Sequence, residues 1–162
     1  MRFGLVFASA ALVLAGRATA LPTPAVSAQS PAAAEQEVRA AAAAFASAFN
    51  ALDAARFAPL WADDASVFFP QAPFPIRRVD GKADVLTWFG RFMDNRRKAG
   101  SGPGVDPKEL QVTMLGADSA IVSFHLGTDA DYVARRTLVY RRDAAGWRIV
   151  HLHGSALSAP KP

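Results

Sequence analysis

Residues 137–154 read TLVYRRDAAGWRIVHLHG, and this stretch predicts two β-strands joined by a tight turn. Both flanks are rich in β-branched and aromatic residues, which favour strands. The segment between them, Asp143-Ala144-Ala145-Gly146, has the Asp and Gly that tight turns require. The second strand ends on the pair His151-x-His153. The pattern therefore predicts a β-hairpin near the end of the chain.

The segments before the hairpin predict three helices. An Ala-rich helix is expected from about Glu35, because apolar residues recur on one face at whole-turn spacing. Asp53 is expected to cap a short second helix that ends near Trp61, and Asp80 to cap a third. In the third helix a stripe of apolar residues repeats every three or four positions. Its members are Val85, Trp88, Phe89, Phe92 and Met93.

Strand patterns complete the order. A short strand is expected over 65–69, ended by Pro70, and four more over 110–115, 119–126, 135–142 and 147–153. The prolines between residues 70 and 78 predict a loop, since proline cannot join the interior of a sheet. Asp63 and Asp64 are read as turn or cap residues. The order ααβαββββ predicts an α+β fold with the helices on one face of a curved antiparallel sheet.

The hairpin resembles the closing hairpin of the NTF2-like superfamily. The residues that carry the resemblance are Thr137-x-Val139-Tyr140 and Trp147-x-Ile149-Val150-His151-x-His153-x-Ser155, and the SnoaL-like proteins and the association domain of calcium/calmodulin-dependent kinase II are the nearest in pattern. Residues 60–67, LWADDASV, are similar to the family's passage from second helix to first strand. The resemblance spans residues 35–155. It implies an NTF2-like cone, with three N-terminal helices packed on a curved antiparallel sheet, that forms a homodimer through its outer sheet face.

The first residues are expected to be a signal peptide. Arg2 supplies a positive start, residues 3–14 are apolar but too short to span a bilayer, and small-residue cleavage sites follow at residues 20 and 28. We therefore expect a signal peptide over 1–28, a Pro/Ala/Ser-rich linker to about residue 34, the NTF2-like domain over 35–157 and a tail over 158–162. The mature protein is expected to be periplasmic or secreted, with no membrane contact after cleavage.

Composition narrows the function classes. Without the predicted signal peptide the chain keeps 16 basic and 14 acidic residues, a net charge of only +2. The basic pairs lack the aromatic platforms or motifs of nucleic-acid binding, so no nucleic-acid partner is expected. There is no cysteine, so no disulfide can staple the fold.

The resemblance implies a conical pocket, and the residues that would line it are apolar. The catalytic base and tyrosine of the ketosteroid isomerases fall at Phe69 and Phe45, and their second acid near Leu138 or Val139. The arginines of the kinase association domain, which binds small carboxylates, fall near Leu126 and at Leu138 and Gly154. Neither chemistry carries over. A pocket for a small apolar molecule, without a cofactor or metal, is expected, and a cone filled by side chains is the alternative. The expected lining is Phe45, Trp61, Phe69, Val85, Trp88, Phe92, Leu138 and Tyr140.

The last strand has two histidines, and the sheet face to which they point decides whether they can lie in the expected dimer interface. Alternation along a strand puts His151 and His153 on one face with Trp147 and Ile149. The resemblance places the pocket-facing position of this strand at Gly154, which has the opposite parity. His151 and His153 are therefore expected at the outer face, in the dimer interface, and zinc binding is disfavoured for want of a third ligand.

Three functions stay open at this stage. The first is binding of a small apolar molecule, with no catalysis assigned. The second is a SnoaL-like cyclase, isomerase or dehydratase that uses His125 and Tyr140, with an aspartate such as Asp64, as acid and base. The third is a non-catalytic oligomerisation module. The enzyme hypothesis requires His125 and Tyr140 to point into the cone toward a common point.

Overall fold

The computed structural model describes residues 30–127 and 132–158. The predicted signal peptide, the first residue of the predicted linker and residues 159–162 of the predicted tail lie outside these residues. Within them no helix is long and apolar enough to cross a membrane. The elements are α1 (Pro31–Asn50), α2 (Ala54–Phe57), a 3-10 turn (Ala58–Leu60), β1 (Trp61–Phe68), β2 (Val79–Asp80), α3 (Lys82–Lys98), β3 (Lys108–Met114), β4 (Ser119–Leu126), β5 (Tyr132–Asp143) and β6 (Gly146–Ser158).

The strands form one mixed sheet in the order β2-β1-β6-β5-β4-β3. All neighbours are antiparallel except β1 and β6, which pair in parallel. The three N-terminal helices pack against one face of this open, curved sheet, and the predicted α+β class is confirmed. The packed core lies between α1, α3 and the inner face of the sheet.

Helix α1 begins at Pro31, four residues before the predicted start at Glu35. Ser30 is the N-cap, and its hydroxyl accepts a hydrogen bond from the Ala33 N–H. Proline is suited to the first turn because its missing N–H would have no partner there. The sequence Ser-Pro was therefore a start signal inside the segment that had been assigned to the linker. Near its start the helix is tied to the hairpin, because Trp147 Nε1 donates to Glu37 Oε2 at 3.1 Å.

Asp53 caps α2 as predicted, because its carboxylate accepts a hydrogen bond from the Arg56 N–H at 3.0 Å. The aspartates closer to α3 do not cap helices. The N-cap of α3 is Gly81, which has φ 86° and makes no side-chain cap, while Asp80 lies in β2 and pairs with Arg78 at 2.8 Å. Strand β1 begins at Trp61 and not at residue 65, so Asp63 and Asp64 are strand residues. Its register against β6 slips between Trp61 and Ser66, and this irregularity exposes both aspartates side by side.

A one-residue bulge at Val150 changes the facing of the last strand. Val139 pairs with His151, whereas Tyr140 pairs with Ile149, so Val150 is the extra residue on β6. Trp147 and Ile149 therefore point into the core, although the histidines beyond the bulge point out. The expectation that His151 and His153 share a face with Trp147 and Ile149 was wrong, because simple alternation does not survive a bulge. Leu152 and Gly154 are the inward residues after it.

Tyr140 on β5 points into the core and is buried there, beside Ile149 and Ala120 on the neighbouring strands. Among the described residues its hydroxyl has no hydrogen-bond partner, and burial raises the pKa of Tyr140 far above its ordinary value. A buried hydroxyl without a partner costs roughly 1–3 kcal/mol of desolvation free energy.

We expect Tyr140→Phe to leave the free energy of unfolding unchanged or to raise it by about 1 kcal/mol, because it removes the desolvated hydroxyl and keeps the ring. Urea denaturation measures it, with Tyr140→Leu as the control that also removes the ring and should destabilise the protein. A loss of more than about 1.5 kcal/mol in Tyr140→Phe would contradict this account and show that the hydroxyl has a partner.

Candidate functional site

The wide end of the cone holds a cavity of about 400 Å³. It lies between helices α1 and α3, the inner faces of β4, β5 and β6, and the two loops that follow β1 and α3. Seven of its lining residues are phenylalanines: Phe45, Phe49, Phe69, Phe74, Phe89, Phe92 and Phe124. The other lining side chains are small or apolar, with the exception of Gln71 and Arg136.

The phenylalanines form a continuous aromatic wall. Phe69 and Phe74 stack with ring centroids 4.3 Å apart and planes 5° from parallel. Phe74 also packs on Phe92 at 5.5 Å, and Phe92 stacks on Phe49 at 5.4 Å. The loop after β1 thus folds back over the cavity, and its aromatic side chain joins those of α1 and α3.

A second loop closes the cavity from the side of α1. Asn50 donates from Nδ2 to the Val105 carbonyl at 2.7 Å and accepts from the Val105 N–H at 2.7 Å. These two bonds replace the backbone pairing that a loop rich in Gly and Pro cannot make. They hold Pro103, Gly104 and Val105 against the cavity.

Arg136 is the charged side chain among the described lining residues. It lies on β5, two residues from Leu138 and on the same face. Nη1 donates to the carbonyl of Arg135 at 2.7 Å and to that of Ser155 at 3.2 Å. The guanidinium is therefore held at the edge of β6, where Gly154 leaves room for it: a Cβ at Gly154 would lie 3.4 Å from Nη1 and 3.0 Å from Pro70.

The predicted pocket residues divide into two groups. Phe45, Phe69 and Phe92 line the cavity. The other five do not. Trp88 is partly buried, with the Arg91 guanidinium 4.9 Å from its ring centre. The remaining four are fully buried in the packed core: Trp61, Val85, Leu138 and Tyr140. The cone is thus filled at the end near the hairpin turn and open at the other. The predicted pocket describes the open half, and the alternative of a cone filled by side chains describes the other half.

The three proposed acid/base residues are not brought together. His125 lies on the outer face of β4, between inward Phe124 and partly buried Leu126, with Nδ1 3.8 Å from Glu109. Tyr140 is inside the core. Asp64 is exposed and accepts two hydrogen bonds from Arg141 at 3.0 and 2.8 Å, which keep the pKa of Asp64 below its ordinary value. A shared reaction centre requires groups within hydrogen-bond reach of one point, and Tyr140 lies inside the core whereas His125 and Asp64 lie outside it.

His151 and His153 lie on the outer face of the sheet. Ser66 Oγ is 2.8 Å from His151 Nδ1, and the ring of Phe68 is within 6 Å of both imidazoles. Partial burial, then the charges of His153 and Arg78, lower the pKa of His151. The folded state therefore resists protonation there, and the stability contributed by neutral His151 is lost as the pH falls through the ordinary histidine range. The described residues contain no group of three or more metal-ligating side chains.

Sequence reasoning missed several cavity residues. Arg136 shares its face with Leu138, which had been assigned to the pocket, so the alternation along β5 was a sufficient signal for it. Phe74 and Gln71 lie in a proline-rich loop, and no periodicity marks the direction of a loop side chain. Phe89 belongs to the predicted stripe of α3 and Phe49 lies on α1, but whether an apolar helix face meets core or cavity depends on tertiary packing.

Solved structures share the fold. A protein from Streptomyces avermitilis, described provisionally as a dehydratase of the NTF2-like family, superposes with a TM-score of 0.67 at 23% identity, covering 80% of this chain and 100% of the other. A protein from Xanthomonas campestris, described provisionally as a calcium/calmodulin-dependent protein kinase II association domain, superposes with a TM-score of 0.55 at 23% identity. The match covers 77% of this chain and 89% of the other. A protein from Novosphingobium aromaticivorans, described provisionally as an aromatic ring hydroxylase, superposes with a TM-score of 0.62 at 17% identity. The match covers 82% of this chain and 94% of the other. No curated protein matches the sequence.

The family assignment comes from the sequence. The family model of the SnoaL-like domain matches residues 38–159, about three quarters of the chain. The matched range begins inside α1 and includes every strand of the sheet, so it contains the whole cavity. The chain belongs to the SnoaL-like domain family.

Proposed function

We propose that this protein binds a small apolar molecule in the cavity between α1, α3 and the sheet. The observation that carries the proposal is the wall of seven phenylalanines around a space of about 400 Å³. Ligand pockets are typically concave, largely apolar and supplied with a few polar groups that orient the ligand. Here Arg136 and Gln71 are those groups.

The shape of the cone supports a binding site over a packing defect. The inner half is filled by fully buried side chains such as Trp61 and Leu138, so this sequence can pack its interior closely. In the outer half, the inner face of the sheet has the small residues Ala134 and Gly154 beside Arg136. A packing cavity of this size would cost several kcal/mol, and larger side chains at these positions could have filled it.

The positions of the candidate acid and base side chains do not support catalysis. The residues that an acid/base enzyme would use, His125, Tyr140 and Asp64, lie apart. The relatives described provisionally as a dehydratase and a hydroxylase share the fold at low identity, and function in this fold depends on the site. We therefore propose binding as the function and assign no reaction.

Filling the cavity tests this proposal. Ala134 lines the cavity and is buried, so Ala134→Leu adds three carbon atoms to the space that a ligand would occupy. We expect the affinity for the neutral fluorescent probe N-phenyl-1-naphthylamine to fall by about tenfold or more. Titration of the probe's fluorescence measures it.

The matched control is Val133→Leu, the neighbouring position on the same strand. Val133 pairs with exposed Leu157 on the outer face, and its enlargement should leave probe binding unchanged. Failure of the probe to bind the unmodified protein, or equal affinities in Ala134→Leu and the unmodified protein, would contradict binding in this cavity.

We further propose that the protein forms a homodimer through the outer face of the sheet. On this face Phe68 is 38% exposed and Leu157 47% exposed, and His151 and His153 lie beside Phe68. Exposed apolar side chains on an outer sheet face favour pairing with a second sheet. One solved structure of similar fold is described provisionally as a kinase association domain, and its name supports assembly of this fold.

A charge on this face should prevent the assembly. We expect Phe68→Asp to convert a dimer to a monomer in size-exclusion chromatography with light scattering, because it would bury a carboxylate against apolar side chains. Leu115→Asp is the control: Leu115 is 58% exposed but follows the end of β3, away from the proposed interface. A monomeric unmodified protein, or a Phe68→Asp variant that remains dimeric, would refute the interface.

Export to the periplasm or beyond is also a proposal, resting on the apolar N-terminal stretch of the sequence. Expression of the full chain in a Gram-negative host should give a periplasmic product whose intact mass lacks residues 1–20 or 1–28. Ala18→Asp with Ala20→Asp should prevent cleavage at the first site and leave cleavage at the second available. An unprocessed product that stays in the cytoplasm would contradict export.

A further inference from the structure

We propose that the dimer dissociates in mild acid because His151 and His153 take up protons in its interface. The inference rests on the proposed homodimer and deepens it by naming what regulates the assembly. Its basis is the position of both imidazoles on the outer face of β6, a central strand of the sheet, beside the exposed ring of Phe68.

The histidines belong to two rows of side chains that run across the outer face. Neighbouring strands contribute uncharged residues to both rows, apart from one aspartate at the edge of the first. The first row is Asp80, Ser66, His151, Val139 and Ile121, and the second is Phe68, His153, Thr137 and Ser123. A second copy placed on this face therefore covers both imidazoles together with aliphatic and aromatic side chains.

Contacts with β1 keep the imidazoles close to the sheet. Ser66 Oγ is 2.8 Å from Nδ1 of His151. The ring centroid of Phe68 is 5.9 Å from that of His151 and 5.8 Å from that of His153. Because Phe68 lies between the two imidazoles and the partner in the proposed interface, the histidines beside it lose water when the second copy binds.

The carboxylates on the neighbouring strands β1 and β2 already have partners. Asp80 of β2 pairs with Arg78 at 2.8 Å. Asp64, two residues before Ser66 on β1, pairs with Arg141 of β5 at 2.8 Å. Each carboxylate thus faces a guanidinium, which offsets most of its attraction for an imidazolium.

The strand on the other side, β5, faces the histidines with uncharged side chains. Val139 and Thr137 lie opposite the two histidines. The arginines of this face, Arg135 and Arg141, lie two residues beyond them on either side. Charge from β5 is therefore positive, and it does not stabilise a positive imidazolium.

Assembly and protonation oppose each other at these groups. Partial burial, and then the charges of His153 and Arg78, already lower the pKa of His151 in the single chain. Loss of more water to a second copy disfavours the charged imidazole further, so dissociation is coupled to proton uptake. A symmetric pair also brings the histidines of both copies into one interface, where their positive charges repel. The dissociation constant of the dimer therefore rises as the pH falls through the histidine range and is constant above it.

The pH dependence of the dimer tests the inference. We expect the dissociation constant of the unmodified dimer to rise at least about tenfold from pH 7.5 to pH 5.5, because each linked histidine adds up to a factor of about ten per pH unit below its pKa. Sedimentation velocity at both pH values measures the constant, and far-ultraviolet circular dichroism verifies that the separated chains stay folded. A constant that changes by less than about twofold, or a loss of the dichroism signal together with the dimer, would overturn the proposal.

Substitution separates the two histidines from other groups that titrate in acid. In the variant with both His151→Gln and His153→Gln, neutral amides replace the imidazoles, so the dissociation constant should differ by less than about twofold between the two pH values. A rise as large as that of the unmodified protein would assign the effect to other groups. His153→Gln alone changes an exposed position and should reduce the slope of the logarithm of the constant against pH. An unchanged slope would refute the role of His153, so the proposal stays testable even if the double variant does not fold.

The matched control is His125→Gln, which changes the remaining one of the three histidines in the chain. His125 lies on the outer face of β4, outside both rows, with Nδ1 3.8 Å from Glu109. This variant removes an imidazole from the same sheet face and should keep the full pH dependence. Loss of the pH dependence in His125→Gln would show that the responsible histidine lies elsewhere and would overturn the proposal.

The outcomes also separate this inference from the proposed homodimer. A protein that is monomeric at both pH values refutes the dimer itself, and the regulation with it. A dimer that is equally stable at both pH values refutes the role of the histidines and leaves the interface in place.

Discussion

The bulge at Val150 determines what each half of the last strand presents to the interior. Before it, Trp147 and Ile149 face the core. After it, Leu152 and Gly154 do, and both histidines are turned outward. Strand β6 lies between β1 and β5 in the sheet, so the side chains that it turns inward pack beside the inward side chains of both neighbours. If Val150 were paired in regular alternation instead of bulged, His153 would point inward near the place where Gly154 now leaves room for Arg136 and Pro70, and the cavity would not exist in this form.

The same interior is used for two purposes. Toward the hairpin turn it is a close-packed core of large side chains, including Trp61, Leu138 and Tyr140. Toward the other end small residues replace them on the sheet, and two loops complete the wall. Burial of the first half stabilises the fold, which frees the second half from the requirement of close packing. The stability of the domain and the volume of its site are therefore set by different residues of the same strands.

The fold could be predicted from sequence because its signals are local and repeat. The hairpin turn, the helix of the α3 stripe and the strand over 119–126 are all present in the structure. The site could be predicted only in part. Phe45, Phe69 and Phe92 line the cavity, whereas Trp61 and Leu138 are buried where the cone narrows. The spacing of apolar residues along a strand or helix does not show at which point a packed core gives way to an open cavity. The bulge was missed for a similar reason, since Val150 differs in no property from an ordinary strand valine.

Arg136 shows where comparison with relatives misleads. The positions examined for a charged anchor were Leu126, Leu138 and Gly154, and each is apolar or small. The charge lies one inward position away from Leu138, against Gly154. Alignment of positions could not find it, because residues 136 and 138 share a facing on β5 but correspond to different positions of the relatives.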